Sequence, residues 1–136
     1  MEFVAHRAGN HADSLRAAEG RVDIVELDVH RGPGLTTEVR HAKRLWPTRR
    51  LWDRWFLLPR DVVVPSLDEI LEAARPDTSL WFDLKGPSAH LGDSLSAMAE
   101  RGERRLVVSS KSWWMLRRFT GVAGIRTYWS ASNRFE

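Results

Sequence analysis

Strand-like and helix-like segments alternate along this chain, and that alternation restricts the fold more than any single motif does. Short apolar runs at residues 3–6, 24–30, 80–85, 106–110 and 125–129 read as strands. Between them, four segments read as helices. These are residues 14–19, stopping at Gly20; 66–75, ending before Pro76; 89–101, with Gly102 as its stop; and 113–119, closed near Gly121. Ser66 and Glu69 have capping-box spacing, in which each side chain satisfies the other's free backbone amide. The turn Arg31-Gly32-Pro33-Gly34 sends the chain back through residues 35–41, a returning strand and so a hairpin. The resulting order, βαβ(β)αβαβαβ, favours a parallel sheet with helical crossovers.

Within IVELDVH, side chains alternate between the two faces of a strand, so Glu26, Asp28 and His30 share one face and Val25, Leu27 and Val29 the other. An edge strand with its polar face in water gives the same alternation, so the pattern alone leaves both readings open. The rest of the chain weighs against the wet edge, because polar residues gather wherever a strand ends. His6 and Arg7 close the first strand, His41 the hairpin return, Asp83 and Lys85 the next strand, and Ser109, Ser110 and Lys111 the one after. In parallel α/β architectures the carboxyl ends of the strands share one rim, where sites are built. Three carboxylates on two strands, Glu26, Asp28 and Asp83, would suit a hard, oxygen-seeking cation such as Mg²⁺ or Ca²⁺. His6 and His41 are candidates for proton transfer near neutral pH. Arg7 is suited to clamping a phosphate.

A chain of 136 residues is about one domain, so residues 1–136 are read as a single unit. It has no cysteine, which excludes thiolate catalysis, disulfides and cysteine zinc sites. Its amino terminus lacks a signal-peptide pattern, and no apolar run is long enough to span a bilayer, so the expectation is a soluble cytoplasmic protein. The formal charge of +3 is too small to argue for nucleic acid. One stretch, residues 43–60, interleaves Lys43, Arg44, Arg49, Arg50 and Arg54 with Trp46, Trp52 and Trp55, a mixture that could bind single strands. The preferred reading is an ordered loop whose tryptophans pack on the sheet rim while its arginines are solvated, serving as a lid or substrate wall.

The motifs AHR at 5–7, VELDVH at 25–30, VRH at 39–41, VPSLDEIL at 64–71, WFDLKG at 81–86 and VVSS at 107–110 together resemble the glycerophosphodiester phosphodiesterase family, in the family's order and across essentially the whole chain. The resemblance implies a TIM-barrel hydrolase of lipid metabolism that uses a divalent cation to release glycerol 3-phosphate and an alcohol from a small-molecule diester. By position, His6 and His41 would be the acid/base pair, Glu26, Asp28 and Asp83 the metal ligands, and Arg7 and Lys85 the phosphate holders. In such enzymes a neighbouring hydroxyl of the substrate can attack phosphorus to give a cyclic phosphate that water opens.

Three positions depart from the family's pattern. The first motif continues as HRAGNHADSL without the family's metal-assisting glutamate, for which Asp13 is the nearest substitute; Ala42 stands where an aspartate usually follows the second histidine; and Asp83 is one methylene shorter than the usual glutamate. A complete barrel has eight strand-helix units in about 250 residues, whereas this chain offers about five parallel strands and a β-hairpin insertion. The expectation is therefore a truncated barrel that is a fragment, pairs with itself into an oligomer or with another chain, or stays open. The alternative function is an inactive barrel binding metal or phosphate only.

Overall fold

A computed structural model describes residues 1–45, 47–86, 89–100 and 104–130. In chain order, β1 (Val4–Ala5) leads through a 3₁₀ turn (Ala8–Asn10) into α1 (Ala12–Ala18), followed by β2 (Ile24–Arg31) and β3 (Thr37–Val39). A small unit follows, made of β4 (Lys43–Arg44), β5 (Leu51–Asp53) and β6 (Phe56–Leu57). Then come α2 (Leu67–Ala73), β7 (Leu80–Lys85), α3 (Ala89–Glu100), β8 (Leu106–Ser110), α4 (Trp113–Leu116), a 3₁₀ turn (Arg117–Phe119) and β9 (Ile125–Trp129).

The main sheet has the order β1-β2-β7-β8-β9, all parallel, with β3 antiparallel to β2. Among the described residues no strand pairs with the outer edge of β1 or of β9. One face of the sheet carries the apolar positions Val25, Leu27 and Val29 of β2, Leu80, Phe82 and Leu84 of β7, and Leu106 and Val108 of β8. These pack with Leu15, Ile70, Leu95 and Met115 of the four helices in a single cluster. Right-handed crossovers place successive helices on the same side of a parallel sheet, which is how half of a barrel wall is built. Phe82 is fully buried there, and a side chain of that kind contributes about 1.5–3 kcal/mol by leaving water. The opposite face, which a barrel turns inward, holds Glu26, Asp28, Trp81, Asp83 and Ser109.

All five expected parallel strands are present, along with the hairpin and the capping box, in which Glu69 N–H donates to Ser66 Oγ at 3.2 Å and Ser66 N–H to Glu69 Oε2 at 2.7 Å. The boundaries differ in places. The first helix starts at Ala12 rather than residue 14, because extended His11 already serves as its N-cap. The 113–119 helix is a four-residue α turn that tightens to 3₁₀ from Arg117, as helix ends commonly do. The return strand shortens to Thr37–Val39, since Thr36 and Arg40 lie outside the ladder. The ends of the third helix at 101 and 102 lie outside the described residues.

The 43–60 stretch departs most from expectation. It is a second, three-stranded antiparallel sheet, β4-β5-β6, rather than a loop. Trp52 and Trp55 are exposed instead of packed on the rim, and Trp46 lies outside the described residues. The unit is tied to the main sheet through Glu38 of β3, which accepts from Arg40 Nε at 2.8 Å and from an Arg44 guanidinium nitrogen at 2.6 Å.

Candidate active site

The ladder β2·β7 sets Asp28 directly beside Asp83 and Glu26 beside Trp81. The next ladder sets Asp83 beside Ser109, and the last sets Ser109 beside Tyr128. One cross-strand row therefore runs Asp28, Asp83, Ser109, Tyr128. Because β2 and β7 are in register and Glu26 lies two residues before Asp28 on the same face, Glu26, Asp28 and Asp83 converge, each offering an oxygen within 4.8 Å of the others. Oxygen-only donors of this kind suit a hard divalent cation. The row is braced laterally: Ser109 Oγ donates to Asp83 Oδ1 at 2.9 Å and accepts from Trp81 Nε1 at 2.9 Å, while the Trp81 ring stacks on Tyr128 with centroids 5.4 Å apart.

One edge of β2 is shared by two strands. β1 pairs with Ile24 and Val25, β3 with residues 29–31, and β7 pairs with residues 25–30 along the opposite edge. Between β1 and β3 the β2 backbone would be left short of partners at Asp28. Asn10 fills that place: Asp28 N–H donates to Asn10 Oδ1 at 2.8 Å, and Asn10 Nδ2 donates to Asp28 Oδ2 at 2.8 Å, both buried. Arg40 N–H donates to the Asp28 carbonyl at 2.9 Å.

Arg7 adopts the left-handed region, φ 59° and ψ 7°, where a residue with a Cβ is uncommon. The bend aims its backbone N–H at Glu26 Oε2, 2.5 Å away, while its side chain crosses the site. There Nε lies 3.8 Å from Asp28 Oδ2, and a terminal nitrogen lies 2.8 Å from His41 Nε2. Arginine can only donate, so His41 Nε2 accepts and the ring proton stands on Nδ1. That nitrogen faces Asp53 Oδ1 at 2.6 Å. His6 Nδ1 lies 2.9 Å from Glu26 Oε2, with its side chain 69% exposed. Lys85 Nζ lies 2.9 Å from Asp28 Oδ1 and also contacts Asp83 Oδ2.

The electrostatics follow from this crowding. Burial pushes the Glu26 carboxyl above its ordinary value, against the Arg7 amide that lowers it, and Asp28 adds to the rise. Burial acts in the same direction on Asp28, but hydrogen bonds from Asn10 and Lys85 outweigh it and hold that carboxyl low. Burial of Lys85 is likewise outweighed by its contacts with Asp83 and Asp28, which raise its value and keep it a cation. His30 is pushed down to about 4, first by burial and then by Arg40, and its buried Nε2 has no hydrogen-bond partner among the described residues.

All seven residues singled out in the sequence, His6, Arg7, Glu26, Asp28, His41, Asp83 and Lys85, are thus joined in one network of direct contacts. An open cleft of about 810 Å³ adjoins it, lined by Arg7, His30, His41, Asp83 and Lys85. Asp13 does not substitute for the missing glutamate: it is fully exposed on α1 and pairs with Arg16 at 3.4 Å. Two residues escaped sequence reasoning. Asp53 is the sole carboxylate among the cations of residues 43–60, and that isolation was its only signal. Asn10 follows a glycine just past the AHR motif, a position that reads as ordinary turn chemistry.

The fold and the acidic row together define a barrel-type α/β frame, shortened to five parallel strands, with a cation-suited carboxylate cluster on its inward face. In three dimensions that frame resembles glycerophosphodiester phosphodiesterases. It superposes on the glycerophosphoryl diester phosphodiesterase domain of an uncharacterized Mycobacterium tuberculosis protein with a TM-score of 0.61 and 18% identity, covering 93% of this chain and 58% of that one. A glycerophosphodiester phosphodiesterase from Parabacteroides distasonis matches with a TM-score of 0.61 and 17% identity over 94% of this chain and 64% of that one. A Galdieria sulphuraria protein described as a candidate member of the same enzyme class gives 0.67 and 15%, over 94% and 63%. The chain thus spans about three fifths of the length of the structures it matches. No protein-family model and no curated protein matches its sequence. Among the described residues no helix is long and apolar enough to cross a membrane.

Proposed function

We propose that this chain, acting as one α/β unit, hydrolyses glycerophosphodiesters to glycerol 3-phosphate and an alcohol with the help of Mg²⁺ or Ca²⁺. The observation that carries the reading is the convergence of three carboxylates, two histidines and two cations at one mouth of the sheet. Glu26, Asp28 and Asp83 would hold the divalent cation, whose charge would offset that growing on the phosphoryl oxygens. Arg7 and Lys85 bind the phosphate. Arg7 Nε is a buried donor without a hydrogen-bond partner among the described residues, which leaves it free for an anionic oxygen.

His41 is the base. When the Arg7 guanidinium turns from His41 to the substrate phosphate, the Nε2 lone pair it had occupied takes the proton of the substrate hydroxyl that attacks phosphorus, while Asp53 stabilises the ring as it becomes charged. His6, tethered through Nδ1 to Glu26, delivers a proton from its other ring nitrogen to the departing alcohol oxygen as the P–O bond breaks. The products of this step are a cyclic phosphate and the free alcohol. Water then opens the ring with the two histidines exchanging roles.

The test is release of glycerol 3-phosphate from glycerophosphocholine with added Mg²⁺ or Ca²⁺. Hydrolysis that EDTA abolishes, and that His6→Ala reduces by roughly 100-fold or more, is the expected result. Hydrolysis indifferent to EDTA or to His6→Ala would overturn the mechanism. The outer edges of β1 and β9, unpaired among the described residues, favour a second reading, an inactive half-barrel that only binds metal or phosphate. Cation-dependent thermal stabilisation, lost in Glu26→Gln, with no turnover of any diester would select it.

A further inference from the structure

Five of the six tryptophans among the described residues, Trp52, Trp55, Trp113, Trp114 and Trp129, are exposed. Trp52 lines the cleft beside the carboxylate row, Trp129 donates through its indole N–H to the carbonyl of Lys111 on the same cleft, and Trp113 and Trp114 follow Lys111 in the chain. The most prominent apolar group is the β5–β6 turn. Trp55 is 84% and Phe56 72% exposed, with Leu57 beside them. The turn is held by Arg54 in the left-handed region at φ 53° and by the Trp52 indole N–H, which donates to the Arg54 carbonyl. A fixed turn presenting two aromatic rings to water is costly in solution unless something covers it.

The surroundings of that turn are cationic. Residues 43–64 contain six Lys and Arg side chains and only two carboxylates, Asp53 and Asp61, against a formal charge of +3 for the entire chain. Lys43, Arg54 and Lys111 line the mouth of the cleft with Trp52. Arg49, Arg54 and Arg60 pair with no carboxylate among the described residues, and Asp53 is engaged by His41. Amphipathic aromatic rings beside unpaired cations match the chemistry of a phospholipid interface, whose surface is anionic and whose depth is apolar.

We propose that this rim docks the protein on an anionic phospholipid surface, the Arg54-Trp55-Phe56 turn entering the interface while Lys43, Arg54 and Lys111 meet headgroup phosphates. The cleft mouth then faces the bilayer. Single-stranded nucleic acid fits less well, because its bases stack along a groove lined with aromatics, whereas Trp55 and Phe56 project from a turn. The readout is binding, so the proposal stands or falls separately from turnover of a soluble diester.

The experiment is co-sedimentation of the full chain with phosphatidylcholine vesicles, with and without phosphatidylglycerol, over a range of NaCl concentrations. Binding should require phosphatidylglycerol and weaken with salt. It should fall roughly tenfold or more in Trp55→Ala/Phe56→Ala and about tenfold in Arg54→Glu/Lys111→Glu. Brominated acyl chains should quench the fluorescence of the wild type more than that of the Trp55→Ala variant. No binding to phosphatidylglycerol vesicles at low salt, or equal binding by wild type and the aromatic double variant, would overturn it. So would a defect of that variant that appears instead as lost self-association in sedimentation velocity, or as lost binding to a single-stranded oligonucleotide.

Discussion

Replacing Asp53 by Asn tests whether the small second sheet belongs to the reaction or only borders it. Asp53 Oδ1 lies 2.6 Å from His41 Nδ1, and Arg7 holds the other ring nitrogen at 2.8 Å. In the wild type the Arg7 donor fixes Nε2 as an acceptor, so the carboxylate of Asp53 receives the Nδ1 proton and, on the proposed mechanism, would later face the imidazolium. Asparagine has nearly the same shape but can turn its amide N–H toward the ring, which favours the tautomer with the proton on the wrong nitrogen. Loss of such an orienting carboxylate commonly costs about 10- to 100-fold. The lower part of that range applies here, since the Asp53 side chain is 38% exposed. A 10- to 100-fold loss corresponds to about 1.4–2.7 kcal/mol in the barrier. It should fall on kcat with KM little changed, because Asp53 touches neither Arg7 nor Lys85 among the described contacts. The measurement is initial-rate kinetics on glycerophosphocholine together with ¹⁵N chemical shifts of the His41 ring. Those shifts should report a proton on Nδ1 in the wild type and a mixture in Asp53→Asn, whether or not a diester turns over. An unchanged kcat combined with an unchanged tautomer would refute the assignment.

Two further outcomes concern the frame beneath the site. Asn10→Ala removes both partners that the residue supplies to Asp28 and should destabilise the fold by about 2–3 kcal/mol in urea unfolding, since it strands a buried amide and part of a buried carboxylate; a change below about 0.5 kcal/mol would show that water or a neighbour replaces it. Burial works against ionisation of Glu38, but hydrogen bonds from Arg44 and Arg40 outweigh it and hold its carboxyl below the ordinary value of 4.5. A carboxyl depressed by folding adds stability above its unfolded value and loses it as pH falls through the folded one. Thermal unfolding between about pH 6 and pH 3 should therefore steepen for the wild type relative to Glu38→Gln, and parallel profiles would count against the pair.

Much of the frame is legible before any coordinates, for a physical reason. Parallel strands flanked by helices leave a strong periodic signal, but the register that pairs Asp28 with Asp83 sets Leu80 beside Val25, one residue into β2, and a slip of one residue would have turned Asp83 to the apolar face. The β4-β5-β6 unit left no such trace. Its strands are two or three residues long, too short for alternation to stand out against Trp and Arg neighbours that suit loop and strand equally. For the same reason Asp53 could not be placed beside His41, twelve residues earlier, because only the hairpin geometry of β5 brings the two together. Asn10 was hidden differently: its role depends on β1 stopping and β3 starting on one edge of β2, a fact of topology that no local pattern carries.

That the carboxylate facing His41 is lent by β5, outside the main sheet, has a consequence for how such a chain can diversify. Segments that shape the entrance of a site vary more freely than the frame beneath them, and here the segment that walls the cleft also carries the partner of the His41 ring. Trading the 43–60 module for another would alter the wall of the cleft and the partner of the His41 ring in a single event. On the proposed mechanism, selectivity and reactivity would then be inherited together, and a graft that kept the wall but lost an acid at position 53 would recognise its target without efficiently transforming it.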